Sequence, residues 1–167
     1  MTLTDAPTVL CRSVGIYRER PPSPLLRRHF ACTWFHQLAS CPSQSMTIVP
    51  DGSIDLQWID GVLRIAGPDR SANVESVSAG ATVIGFRFLP GAATAWLRVS
   101  AAEIVDARLP LESFWGAEAR HLAELSNDAR TPECIAERLE TALSRRATSP
   151  RAMTRSRICS ATPPAPA

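Results

Sequence analysis

The sequence predicts an α+β fold: a small antiparallel β-barrel or sandwich over about 28–90, then a short helical region over about 91–146. Three observations lead there. Up to Leu89, apolar residues recur at every second position in several short runs, the spacing of strands with one buried face. Those runs are separated by tight-turn signals at Pro50-Asp51-Gly52, Asp60-Gly61 and Gly67-Pro68-Asp69. After Pro90-Gly91 the apolar spacing lengthens to that of a helix.

In order along the chain, residues 1–24 read as a lead-in with an edge strand within Thr8–Tyr17. The run Pro21-Pro22-Ser23-Pro24 excludes regular helix or central strand there. His29–Gln37, rich in aromatics and Thr, reads as a strand that places Phe30, Cys32, Trp34 and His36 on one face. Ser45–Pro50 is a short apolar run ending in a turn. Ser53–Ile59 alternates, with Ile54, Leu56 and Trp58 on one side and Ser53, Asp55 and Gln57 on the other. Asp60-Gly61 joins it to Val62–Ala66 as a hairpin. Val74–Ser78 is a weaker strand. Ala81–Leu89 is stronger, with Ile84, Phe86 and Phe88 opposed to Val83, Gly85 and Arg87.

The helical part begins with Ala92–Val99. Ser100-Ala-Ala-Glu103 has the form of a capping box that starts another short helix, and Leu109-Pro110 breaks that helix. Phe114–Asn127 carries Trp115, Ala119 and Leu122 at helical spacing. Thr131-Pro132-Glu133 supplies an N-cap, a first-turn proline and a first-turn acid, and an apolar stripe runs from Ile135 to about Arg146. The two helices are expected to form a hairpin. The folded unit is thus 25–147, and the Pro-rich residues 148–167 read as a disordered tail.

Composition narrows the function classes. At 167 residues with 45% hydrophobic content, the chain suits one domain with its own core. All basic residues are Arg, scattered as GC-rich codon usage would scatter them. Arg145, Arg146, Arg151, Arg155 and Arg157 stand together without an acid, which leaves the preceding part mildly acidic. An acidic body argues against a broad nucleic-acid footprint; a basic tail supports only weak, salt-sensitive contact. The cysteines Cys11, Cys32, Cys41, Cys134 and Cys159 form no CxxC, so thiols in a reducing compartment are expected. Neither a secretory leader nor a membrane span is legible, and a cytoplasmic protein is expected.

The strings Ile48-Val-Pro-Asp-Gly-Ser-Ile-Asp-Leu56, Ala66-Gly67-Pro68 and Gly85-Phe-Arg-Phe-Leu-Pro-Gly91, with the lead-in from Pro24 to Trp34, carry a resemblance. Over about 20–146 the chain resembles the N-terminal sensor domain of AraC-type transcription regulators. In that family a β-rich domain and a short helical region precede a double helix-turn-helix module. The resemblance implies a regulatory domain that binds a small-molecule effector, or that dimerises with itself or with a full-length regulator. Only 20 residues follow Ala147, too few for two helix-turn-helix units. The expectation is therefore a truncated chain, through early termination or a frameshift, that meets DNA only when the missing module is supplied.

The candidate ligand-binding residues are Trp34, His36, Trp58 and Arg87. Aromatic side chains line small-molecule pockets, although they also fill small cores. Arg87 has three readings: an inward guanidinium for an anionic effector, a surface charge, or a buried structural ion pair. The motif residues Pro50, Asp51, Gly52, Asp55, Gly67, Pro68, Gly85, Pro90 and Gly91 read chiefly as turn and register determinants. Asp51 and Asp55 read either as polar groups at a ligand mouth or as a turn residue and a solvent-facing one. A cupin-like enzyme is the rival class, because it too is a small β-barrel. It needs several His and a carboxylate on one ion. His29 and His36 fall on opposite strand faces and His121 on a helix, so no metal, no cofactor and no enzymatic activity are expected.

Overall fold

Strand alternation and turn chemistry produce most of the elements expected, and long-range pairing decides how they are arranged. A computed structural model describes residues 15–40 and 45–149. It contains β1 (Gly15–Arg20), β2 (Phe30–Leu38), β3 (Ser45–Ile48), β4 (Asp55–Ile59), β5 (Val62–Ala66), β6 (Asn73–Ser76), β7 (Thr82–Phe88) and β8 (Arg108–Pro110). The helices are α1 (Ala92–Leu97), α2 (Glu112–Trp115), α3 (Ala117–Asn127) and α4 (Pro132–Thr148), with a 3₁₀ turn at Ala101–Ile104.

Six strands form an antiparallel sheet in the order β1-β2-β7-β4-β5-β8, and β3 and β6 form a separate two-stranded ribbon. The six-stranded sheet is open, with β1 and β8 at its edges, so the expected barrel does not close among the described residues. The reason lies in β3: it pairs with β6 and does not bridge the sheet edges. The Pro50-Asp51-Gly52 turn therefore carries the chain from ribbon to sheet and does not join two paired strands. The Asp60-Gly61 hairpin forms as expected, with φ of 44° and 94° and Ile59 opposite Val62.

β1 lies inside the segment read as lead-in, and it pairs along its whole length with β2. The residues before Gly15 lie outside the described part, as do Cys11, Cys41, Cys159 and the tail from 150 onward. A second correction concerns β2. Its register against β7 shifts between Phe30 and Cys32, and this bulge turns Phe30 to the face opposite Trp34. The four residues Phe30, Cys32, Trp34 and His36 therefore do not share a face.

The first face of the sheet presents Phe30, Phe35, Leu56, Trp58, Leu63, Ile65, Ile84, Phe86 and Phe88 to one core completed by all four helices. Burying several such side chains, at about 1.5–3 kcal/mol each, supplies the main driving force for folding. Trp96 sits at its centre among Phe30, Phe88 and Trp115, and its carbonyl accepts a hydrogen bond from Trp115 Nε1 at 3.1 Å.

The expected helix over Phe114–Asn127 is two helices. Gly116, with φ of 56°, ends α2 and opens α3. The start of α4 is as read: the Thr131 side chain accepts from Cys134 N–H at 3.2 Å, with proline and Glu133 in the first turn. β8 occupies the stretch read as a helix breaker. No described helix is long and apolar enough to cross a membrane.

Candidate functional site

With the helices packed on the first face, the second face is where the chemistry collects. Alternation puts Tyr17 and Glu19 of β1, Cys32, Trp34 and His36 of β2, Gly85 and Arg87 of β7, Asp55 and Gln57 of β4, and Arg64 of β5 on that face. Register then aligns them into two rows. One runs Glu19, Trp34, Gly85, Gln57, Arg64; the other runs Cys32, Arg87, Asp55, Ala66, Arg108.

The centre is made by Gly85. A Cβ there would stand 2.0 Å from the Trp34 indole, so only glycine lets that ring lie across β7. In this position Trp34 Nε1 donates to Asp55 Oδ1 at 3.3 Å. Arg87 Nε donates to the same oxygen at 3.4 Å, and Arg87 Nη2 lies 3.4 Å from Asp51 Oδ2. Arg87 is thus ion-paired with Asp55 and Asp51, though not fully buried as the ion-pair reading had it. Its side chain is 29% exposed, so it still reaches solvent. Asp55 is buried, which corrects the solvent-facing reading. Strand β7 has buried residues on both sides, and the helix-free side is as closed around Val83 and Gly85 as the other side is around Ile84.

Tyr17 completes the aromatic wall. Its ring lies 6.0 Å from Trp34, tilted by 32°, and 6.0 Å edge-on from His36. The Tyr17 hydroxyl donates to Glu19, and burial and that carboxylate push its ionisation far above the ordinary range. Burial pushes the Cys32 thiol up to about 12, so at neutral pH it is not a nucleophilic thiolate. Burial lowers the pKa of His36, and its Nε2 is buried without a hydrogen-bond partner among the described residues. Burial raises the Asp55 carboxyl against the opposing pull of Arg87 and Trp34.

A polar network ties the ribbon to the other end of this face. Glu75 of β6 accepts from Arg64 Nη2 and Arg108 Nε, each at 2.5 Å, and Arg64 Nε donates to Gln57 at 2.8 Å. Arg108 Nη2 also holds Asp69 at 2.7 Å. Burial alone would raise Glu75, but the two arginines overcome it and hold its carboxyl below the usual range.

The remaining motif residues frame the site. Asp51 Oδ1 accepts from Ser53 N–H at 2.8 Å, which fixes the turn around Pro50 and Gly52. Gly67 abuts the Ile104 carbonyl, where a Cβ would stand 1.7 Å from the oxygen. The Pro68 carbonyl accepts from Asp106 N–H at 3.0 Å. Pro90 and Gly91 lead into α1. Trp58 stands apart from the other three candidates, in the core on the helix side.

Sequence reasoning missed Tyr17, Arg64, Glu75 and Arg108. The one available signal was the alternation of Arg64 against Leu63 and Ile65. Tyr17 was hidden in the lead-in, and Glu75 and Arg108 meet only through tertiary structure.

A concavity of about 580 Å³ opens between α2–α3 and α4, lined by Phe114, Trp115, Leu122, Leu125, Leu143 and Arg146 among others. Arg146 stacks over the Trp115 ring at 3.9 Å and pairs with Glu118. Among the described residues no group of three or more His, Cys, Asp or Glu is arranged to hold a metal.

Residues 18–110, from within β1 to the end of β8, match the family described as Domain of unknown function (DUF6597). No curated protein and no solved structure matches the chain.

Proposed function

The chain belongs to the DUF6597 family, and we propose that it is a non-enzymatic regulatory domain that senses a small-molecule effector on the second face of its sheet. The resemblance to the sensor half of AraC-type regulators supplies the regulatory context. The observation that carries the reading is the grouping of Trp34, Tyr17, His36, Asp55 and a solvent-reaching Arg87 on the face that no helix covers. An aromatic wall beside a few fixed polar groups is the usual make-up of a small-molecule site. Apart from Tyr17, these residues lie inside the family segment. The protonated Cys32 thiol speaks against a cysteine nucleophile on this face.

A thermal-shift screen with organic acids, amines, sugars and nucleosides tests the proposal. At least one class should raise the melting temperature, and Trp34→Ala should abolish that rise. Stabilisation that survives Trp34→Ala but disappears with Leu125→Glu would move the function to the helical groove.

That groove supports a second reading, an interaction or dimerisation module modulating a full-length regulator. Leu125 on its rim is 42% exposed. Light scattering should then show a dimer that Leu125→Glu dissociates; a monomer at all concentrations, with no retention of a regulator, removes this reading.

A further inference from the structure

Arg87 is shared by two carboxylates that are held very differently. Asp55 faces it across the β4–β7 ladder, is buried, and is fixed by the Trp34 indole N–H. Asp51 comes from the turn between β3 and β4, and its side chain is 45% exposed. Its other oxygen accepts from the turn's own Ser53 N–H. Both contacts to Arg87 are 3.4 Å long. A well-formed guanidinium–carboxylate pair is bidentate with bonds of about 2.7–2.9 Å. Asp51 is thus a loosely held anion on a cation that can make a better pair, and the half-buried Tyr17 ring lies on the same face of the sheet, tilted against the buried Trp34.

We propose that Asp51 is an internal stand-in for the ligand: the site takes a small aromatic carboxylate, whose carboxylate displaces Asp51 from Arg87 while its ring lies against the half-buried Tyr17. This rests on the sensor reading above and specifies its ligand class. Charge favours exchange over addition, because Arg87 already faces two acids and a third carboxylate would be repelled. The exchange also gives the signal a route. Asp51 sits in the only stretch of chain between β3 in the ribbon and β4 in the sheet, so releasing it frees the ribbon's connection to the site.

Calorimetric titration of the full chain with phenylacetate, with acetate and with phenethylammonium tests this. Phenylacetate should bind more tightly than acetate, and phenethylammonium should not bind. Asp51→Asn keeps the side-chain oxygen that accepts from Ser53 and removes the competing charge. It should bind phenylacetate about two- to fivefold more tightly, the equivalent of an exposed ion pair. Arg87→Lys, which keeps the charge beside Asp55, should weaken binding by about tenfold through loss of the bidentate fork. Equal or weaker binding by Asp51→Asn overturns the displacement, and binding of the amine alone overturns the ligand class. If phenylacetate is ignored while another class in the thermal-shift panel depends on Trp34, the carboxylate inference fails and the sensor reading stands. If no panel ligand depends on Trp34, the sensor reading fails with it.

Discussion

The two faces of the sheet are built from the same strands by the same alternation, yet they are held by different forces. The helix-covered face is held mainly by apolar burial, with Leu56, Ile65, Ile84 and Phe86 fully buried, and Thr33, donating to Glu140 of α4 at 2.7 Å, is a buried polar exception. The opposite face is bound by directional pairs: Trp34 to Asp55, Arg87 to Asp55, and Arg64 and Arg108 to Glu75. The apolar face can be complete only when nothing else enters it. The polar face keeps a partly exposed cation, Arg87, whose two carboxylate contacts are each 3.4 Å long.

The division between the faces is tested most severely at Phe86. Phe86→Ala removes a fully buried ring that packs edge-on against Phe30 at 6.0 Å, and it should cost about 3–5 kcal/mol in urea unfolding. A cost near that of an average surface change would mean that the helix-side core is not the main source of stability.

On the polar face the largest effect is expected at Glu75. Glu75→Ala leaves Arg64 without its carboxylate and Arg108 with Asp69 alone, and should cost roughly 2–3 kcal/mol, below the figure for fully buried pairs because Arg64 is part-exposed. Its folded-state pKa is held below the ordinary 4.5, so the contribution is present above that value and is lost as pH falls through the folded-state value. Urea midpoints taken from about pH 7 down to about pH 3 should therefore fall more steeply for the wild type than for Glu75→Ala, and the two curves should converge in acid. Parallel curves would show that Glu75 does not hold this face together.

The smallest effect marks where the apolar face ends. Ile16 on edge strand β1 points to the helix side but is 70% exposed, so Ile16→Thr should change stability by no more than about 0.5 kcal/mol. A loss of several times that size would show that β1 is covered in solution by something more than the residues described.

Much of the fold was legible for local reasons. The Thr131-Pro132-Glu133 start of α4 and the Asp60-Gly61 hairpin are written in a few adjacent residues, because caps and two-residue turns are local chemistry. The alternation through Ile84, Phe86 and Phe88 correctly marked the core side of β7. The bulge in β2, the break at Gly116 and the short β8 were not legible. Each depends on what the segment packs or pairs against, and a helical period alone does not show that Gly116 adopts a positive φ.

The site divides in the same way. From sequence alone it was settled that Trp34, His36 and Arg87 lie on strands, that Arg87 opposes Phe86 and Phe88, and that Asp51 sits in a turn. Three features came only with the folded arrangement: Asp55 is buried opposite Arg87, the indole of Trp34 crosses Gly85 to reach it, and the sheet stays open with β3 and β6 apart. A two-residue period reports which side chains share a face of one strand. It carries no information about register between strands such as β4 and β7, whose Asp55 and Arg87 are 32 residues apart.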